Sequence, residues 1–179
     1  MRKTRAAARR DPEPSAGIID AQPVRCRPQA GRRGVEAGQK THGRKRHVRV
    51  DTMGLLLVVW ITTGDIQDRD GAQTLLQHAQ RRFPRLSWFW ADGGDAGQWV
   101  DGVKQTLCWT LQIIKRTDNA KGFVVLPRRW VVERSLAWLT RSRRLSRDSE
   151  GRGQTSATWC YIASIRLMLR RLNPISDPL

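Results

Sequence analysis

One short stretch, residues 87–94 (Ser-Trp-Phe-Trp-Ala-Asp-Gly-Gly), constrains the fold most strongly. Its bulky aromatic side chains are typical of a strand buried in a sheet. Because a charge is costly to bury, we expect Asp92 where the strand emerges, and the glycines after it allow a sharp turn. Open α/β sheets place ligand chemistry at such strand ends, although a cap or turn role for Asp92 is the alternative.

Strand and helix patterns alternate along the rest of the chain, which predicts an α/β fold with a mixed central sheet flanked by helices. A polar loop, 26–40, separates the first strand from a predicted hairpin. Asp68 is the expected N-cap of the first helix. The predicted strands are 16–24, 43–51, 55–61, 87–92 and 110–115, with a short extended piece at 123–126, and the predicted helices are 68–83, 96–107, 128–139 and 156–172.

Apolar spacing within three of these helices predicts which faces are buried. We divide the chain into a basic tail or linker at 1–15, one domain at 16–173 and a C-terminal tail at 174–179. The charged segment 142–155 has no core pattern and is expected to be a loop. The predicted buried residues are Ala72, Leu75, Leu76 and Ala79 in the first helix, Val132, Leu136 and Leu139 in the third, and Ile162, Ile165, Leu169 and Leu172 in the last.

The charge of the chain restricts its partners. Its 179 residues include 33 Lys and Arg against 16 Asp and Glu, a formal net charge of +17 that indicates a polyanion, most simply nucleic acid. The longest apolar run, 55–61, is too short to span a bilayer, so no membrane partner is expected. Three widely spaced cysteines without a zinc-type spacing favour a reducing cytosol.

Three carboxylates fall where they could meet at one edge of the sheet. Asp20 lies near the end of the first strand, Asp92 ends a central strand, and Glu133 lies one turn into a helix, four residues after Arg129. Carboxylate oxygens are the preferred ligands of Mg²⁺ and Mn²⁺, so in a basic protein this set suggests metal-assisted phosphodiester chemistry. Asp51 is an alternative first acid, but its place before Thr-Met-Gly favours a turn role.

Runs of sequence in the same order resemble the transposases of bacterial insertion sequences, whose catalytic domain is ribonuclease H-like. The matching runs are GIIDAQPV, GRKRHVRVDTMGLLL, IQDRDGA, FPRLSWFWADGG, KGFVVLPRRWVVERSLAWL and YIASIRLMLRRL. The resemblance implies that Asp20, Asp92 and Glu133 are the catalytic, metal-binding triad, with Mg²⁺ or Mn²⁺ as cofactor. It also implies metal-dependent strand cleavage and strand transfer, a homodimer assembled on DNA, and a bacterial cytoplasmic, nucleoid-associated location.

The chain departs from the family pattern near the expected site. In the Tyr-Arg-Glu-Lys signature, Arg129 and Glu133 match, but Leu126 and Thr140 stand where Tyr and Lys are expected. Asp95 replaces a frequent aromatic residue. The chain begins close to Asp20, so we expect the catalytic part alone, from a truncated gene, with an impaired remnant that only binds DNA, or a nuclease, as alternatives.

Several basic or aromatic side chains are predicted to contact DNA. The run Arg44-Lys45-Arg46 is predicted to contact phosphate, with a solvated strand edge as the alternative. Trp130 is a helical neighbour of Glu133. Helical spacing predicts that Arg144 lies on the same helix face as Glu133 and Thr140, with Arg141 near that face. Either arginine could replace the missing signature lysine in a phosphate contact. The full predicted DNA-binding set is Arg44, Lys45, Arg46, Arg129, Trp130, Arg141 and Arg144.

Overall fold

The protein is described by a computed structural model that covers residues 1–36, 38, 40–92, 109–114 and 129–173. The predicted helix 96–107 and the extended piece 123–126 lie outside these residues. In chain order the elements are α1 (Arg2–Ala7), β1 (Ala16–Arg25), β2 (Gly34–Glu36), β3 (Thr41–Asp51), β4 (Leu56–Thr63), α2 (Asp68–Arg82), β5 (Trp88–Asp92), β6 (Thr110–Ile114), α3 (Arg129–Thr140) and α4 (Gly153–Leu172).

The strands form one mixed sheet in the order β2-β3-β1-β5-β6, with β4 also paired to β3. β1 is antiparallel to β3 but parallel to β5, and β5 is parallel to β6. Pro23 is tolerated inside β1 because the β5 pairing extends only from Ala16 to Ile18, so the ring nitrogen faces no ladder on that side. The predicted mixed sheet is confirmed.

The predicted hairpin is formed by β3 and β4, and Asp51 builds its turn. The Asp51 carboxylate is fully buried and accepts backbone N–H groups from Met53 at 2.9 Å and Leu55 at 2.8 Å. Gly54 adopts φ +80°, a conformation that side chains with a Cβ rarely take. The turn interpretation of Asp51 is therefore confirmed, and its role as an alternative first acid is not supported.

Helices cover both faces of the sheet, which gives two apolar cores. On one face α2 buries Leu75, Leu76 and Ala79 against Phe89 and neighbouring strand residues. On the other face Val132, Leu136 and Leu139 of α3 pack with Ile18 and Trp90. Full burial stabilises each Leu or Val by roughly 1.5–3 kcal/mol. The predicted buried faces of these two helices are confirmed.

The predicted buried stripe of the last helix is wrong. Ile162, Ile165, Leu169 and Leu172 are 47, 51, 59 and 39% exposed. The helix instead buries Ser156, Cys160 and Ser164, which are spaced four residues apart. Small side chains let the helix lie close to the neighbouring strand, and a Cβ added at Gly153, at the start of the helix, would lie 3.3 Å from the Cβ of Ile61 in β4. Close approach of the backbones therefore decided which face turned inward.

The segment 1–15, expected as a tail or linker, contains α1 and contributes to the core. Thr4 and Arg5 are 3 and 6% exposed. The Arg5 guanidinium donates to the Asp51 carboxylate and to the backbone oxygen of Asp11 at 2.7 Å. Residues 2–7 are thus a packed helix, which corrects that expectation. The division at 16–173 and 174–179 stays a prediction.

Three local expectations also change. The polar loop 26–40 contains β2, which pairs with the start of β3. The segment 142–155 is anchored by Leu145 and Asp148, each 2% exposed. The N-cap of α2 is Gln67, and Asp68 forms an ion pair with Lys45 instead of a side-chain cap. Of the helices in the described ranges, none has the length and apolarity needed to cross a bilayer.

Candidate active site

The register between β1 and β5 predicts that two of the candidate acids lie at the same level of the sheet. In this parallel pair Ala16 lies opposite Trp88 and Ile18 opposite Trp90. The observed pairs end at Ile18 and Trp90, and the same offset, continued by two residues, would place position 20 opposite position 92. Neighbouring strands lie about 4.8 Å apart, so the two positions are adjacent in the backbone. The side chain of Asp92 is outside the described part of the protein.

Asp20 occupies a half-buried position on β1. Its Oδ1 accepts the backbone N–H of Ala21 at 2.8 Å, and Val48 of β3 lies opposite it. Side chains alternate along a strand, so Asp20 lies on the same face of the sheet as Ile18, whose side chain belongs to the core beneath α3. Asp20 is therefore on the face that α3 covers.

Glu133 is exposed on α3, one residue after the fully buried Val132. α3 contacts β1, β3 and β5, the strands around positions 20 and 92. The burial of Val132, Leu136 and Leu139 fixes the rotation of α3 and thereby leaves Glu133 at the margin of its buried face. No group of three possible metal ligands is found among the described side chains. The meeting of Glu133 with the two aspartates stays a prediction.

The run Arg44-Lys45-Arg46 is not on a surface, which corrects both predictions made for it. The three residues are 3, 6 and 1% exposed. Lys45 pairs with Glu36 and Asp68. Burial opposes the charge of Lys45, but these hydrogen bonds outweigh it and raise the pKa of the ammonium. Because β3 has neighbours on both sides and helices above and below, its basic residues cannot form a solvated edge.

The buried guanidinium groups of Arg44 and Arg46 differ in their hydrogen bonding. Arg44 donates to the carboxylate of Asp148 at 3.3 Å and to the backbone oxygen of Glu150 at 2.9 Å. The three nitrogens of the Arg46 guanidinium have no hydrogen-bond partner among the described residues, and burial lowers the pKa of that guanidinium. The Arg49 guanidinium likewise has no hydrogen-bond partner among the described residues, and it lies 3.5 Å over the Phe89 ring.

The other predicted DNA contacts surround α3. Trp130 is 42% exposed, and Arg134 stacks between it and Trp138 at 4.3 and 4.6 Å. The backbone of Arg129 begins α3, but its side chain is outside the described part. Trp130 is therefore accessible beside Glu133, and its contact with DNA stays a prediction.

Arg141 and Arg144 lie beyond the helix, because α3 ends at Thr140. The expectation that Arg144 returns to the helical face of Glu133 is therefore wrong. Arg144 pairs with Glu150 at 2.7 Å and lies 4.4 Å from the Trp159 ring, whereas Arg141 is exposed. Sequence reasoning missed Asp148, and its place inside a charged loop gave no signal of burial.

Comparisons with known proteins agree with this architecture. The sequence profile of the family described as "Transposase DDE domain" matches residues 11–168. Comparison with curated protein sequences found no significant match.

Solved structures show the same fold. The catalytic core domain of BIV integrase is similar, with a TM-score of 0.54 and 15% identity, over 86% of this chain and 82% of that chain. A chain of the simian T-cell lymphotropic virus intasome, solved with the PP2A regulatory subunit B56 gamma, has a TM-score of 0.55 and 15% identity over 93% and 57%. These similarities confirm the predicted ribonuclease H-like fold.

The profile match covers most of the chain, and the fold is similar to that of an integrase catalytic core. The protein belongs to the DDE transposase domain family, whose members catalyse phosphodiester cleavage and strand transfer.

Proposed function

We propose that Asp20, Asp92 and Glu133 form the metal-binding catalytic site for cleavage and strand transfer of DNA. The observation that carries this proposal is the parallel pairing of β1 with β5, whose register, continued two residues past Ile18 and Trp90, would set positions 20 and 92 side by side. A helix packed across these strands carries Glu133. These placements support, for the folded chain, a site at which the three carboxylates meet.

The donor set fits Mg²⁺ or Mn²⁺. Both ions prefer carboxylate oxygens, and the half-buried Asp20 and the exposed Glu133 are accessible from solvent. A bound divalent ion supplies positive charge that stabilises the phosphoryl oxygens during displacement. The carboxylates would hold and space the ions, while the aromatic face of Trp130, which is exposed three residues before Glu133, would border the bound strand.

DNA is the proposed substrate and partner because of the charge of the protein. A net charge of +17 favours binding to a phosphate backbone, and such binding weakens steeply as salt rises. The integrase and intasome structures share the fold at 15% identity, so they support the architecture of the site rather than its residues. A homodimer assembled on DNA, and a location at the bacterial nucleoid, are parts of the same proposal.

Metal binding tests the triad directly. We expect Mn²⁺ titrated calorimetrically into the full chain to bind, and Asp20→Asn, Asp92→Asn and Glu133→Gln each to weaken that binding at least tenfold. Asp70→Asn is the matched control, because Asp70 is an exposed acid in the first turn of α2, on the opposite face of the sheet. Unchanged Mn²⁺ affinity in the three variants would refute the assignment.

Activity is then followed on plasmid DNA with Mg²⁺ or Mn²⁺. The wild type and Asp70→Asn are expected to nick and join strands, and the three triad variants to do neither. Cleavage without joining would indicate a nuclease. Binding without any cleavage by the wild type would indicate a DNA-binding remnant.

A further inference from the structure

We propose that the loops β1–β2 (25–33) and α3–α4 (141–152) form one phosphate-binding surface for duplex DNA, an inference that rests on the proposed DNA chemistry. We call this surface the arginine platform. It consists of exposed arginines from both loops, and it does not include the buried run 44–46 of β3. Its members are Arg25, Arg27, Arg32, Arg33, Arg141, Arg143, Arg147 and Arg152.

Backbone hydrogen bonds join the two loops although they are more than a hundred residues apart. Cys26 and Asp148 form a parallel bridge. The N–H of Arg27 donates to the oxygen of Asp148 at 2.7 Å, and the N–H of Asp148 donates to the oxygen of Arg25 at 2.9 Å. The N–H of Gly31 donates to the oxygen of Glu150 at 3.2 Å. The two loops therefore form one surface.

A buried polar cluster holds this junction from below. The Asp148 carboxylate is 1% exposed and accepts from Arg44 at 3.3 Å and from the hydroxyl of Ser156 at 2.8 Å. Arg44 also donates to the oxygens of Glu150 and Gly151 at 2.9 and 3.1 Å. Removing one partner of such a buried pair is strongly destabilising, because it leaves the other charge buried and unpaired. The exposed arginines are thus presented on a fixed base, which lowers the entropic cost of binding.

The charge of the platform is concentrated and not neutralised internally. Its two loops contain nine arginines and two acidic residues. Both acids are engaged elsewhere, Asp148 with the buried Arg44 and Glu150 with Arg144. The platform arginines form no ion pair with any carboxylate of the described residues. These exposed arginines are therefore available to pair with the phosphates of an external polyanion.

Two features favour DNA over an acidic protein. The arginine fork matches phosphate oxygens. Protein interfaces usually need exposed apolar or aromatic anchors, but Ala30 and Leu145 of these loops are buried. A regular phosphate backbone can engage many guanidinium groups without such anchors.

The platform also has a defined distance from the proposed catalytic site. β1 carries Asp20 and ends at Arg25, five residues later. At about 3.3 Å per residue this is about 17 Å, and DNA rises about 3.4 Å per base pair. We therefore expect the platform to contact phosphates roughly five base pairs from the scissile phosphate.

The salt dependence of DNA affinity tests the platform. The probe is a fluorescein-labelled 30-base-pair duplex of arbitrary sequence, with anisotropy followed from 50 to 200 mM KCl. We expect Arg27→Gln/Arg147→Gln, one change in each loop, to weaken binding about tenfold and to reduce the slope of log K against log salt by about 2.

Arg166→Gln/Arg170→Gln is the matched control. Both residues are exposed on α4, and Arg166 lies 13 residues after Gly153, about 20 Å along the helix axis. The control changes the net charge equally but should leave the slope within about 0.5 of wild type. Equal slope changes in both double variants, or none in the platform variant, would overturn the proposal.

Mn²⁺ titration separates this proposal from the assignment of the triad. The platform variant should bind Mn²⁺ like the wild type, whereas Asp20→Asn should lose Mn²⁺ affinity and retain the wild-type salt slope. An unchanged salt slope in the platform variant would therefore refute the platform without affecting the Mn²⁺ result. Unchanged Mn²⁺ affinity in Asp20→Asn would refute the triad without affecting the salt slope.

Discussion

The ion pair between Arg5 and Asp51 predicts that α1 is required for stability. Arg5 and Asp51 have side-chain exposures of 7 and 0%, and the same carboxylate organises the β3–β4 turn through Met53 and Leu55. Replacing Arg5 with Met removes one partner and leaves a buried carboxylate with two backbone donors. Breaking a buried pair in this way costs about 3–5 kcal/mol.

Urea unfolding followed by circular dichroism measures this cost. With an m-value of about 2 kcal/mol/M, the midpoint of Arg5→Met should fall by about 1.5–2.5 M. Arg2→Met is the control in the same helix: Arg2 is 69% exposed and pairs with Glu13 on the surface, so its loss should cost at most about 1 kcal/mol. A shift below 0.5 M for Arg5→Met, or equal shifts for both variants, would refute the reasoning and restore the view of residues 1–15 as a tail.

Two further predictions concern pH and packing. Burial lowers the pKa of His47 to about 4 from 6.5, so the contribution of the neutral ring to stability is fully present above pH 6.5. The free energy of unfolding should therefore fall by about 3 kcal/mol in all as the pH drops from 6.5 to 4. In urea unfolding, His47→Gln should flatten this pH dependence, and an unchanged profile would contradict the prediction. Leu136→Ala should cost about 2–5 kcal/mol because Leu136 is 6% exposed, whereas Leu169→Ala, at 59% exposure, should cost less than about 0.5 kcal/mol; comparable losses would mean that the outer stripe of α4 is buried after all.

Local sequence patterns predicted the secondary structure and the buried faces correctly where the deciding residues lie within one short segment. Aromatic and β-branched runs predicted β4, β5 and β6, and the spacing of Leu75, Leu76 and Ala79 predicted the buried face of α2. The turn role of Asp51 followed from the residues just after it, because an Asp carboxylate can accept N–H groups a few positions on. These predictions needed no knowledge of distant residues.

The sequence did not predict which charged side chains are buried, because the burial of a charge depends on partners far along the chain. Nothing near Arg44 indicates that Asp148 neutralises it, and nothing near Arg5 indicates Asp51. A basic run is usually solvated, so sequence reasoning placed 44–46 outside. The helix α4 has two faces that could pack on the sheet, one with large apolar side chains and one with small side chains. The face with Ser156, Cys160 and Ser164 is buried, because small side chains allow a closer approach to the sheet.

The sequence by itself determined the family, the α/β class and the identity of the three candidate acids, because these lie in the order and types of residues along the chain. Only the tertiary structure decided which of its charges meet. The register pairs Ile18 of β1 with Trp90 of β5, two residues before the candidate acids, and the bridge between Cys26 and Asp148 joins two arginine-rich loops. Pairing between strands and loops is a long-range property, since its energy comes from contacts that no local window contains.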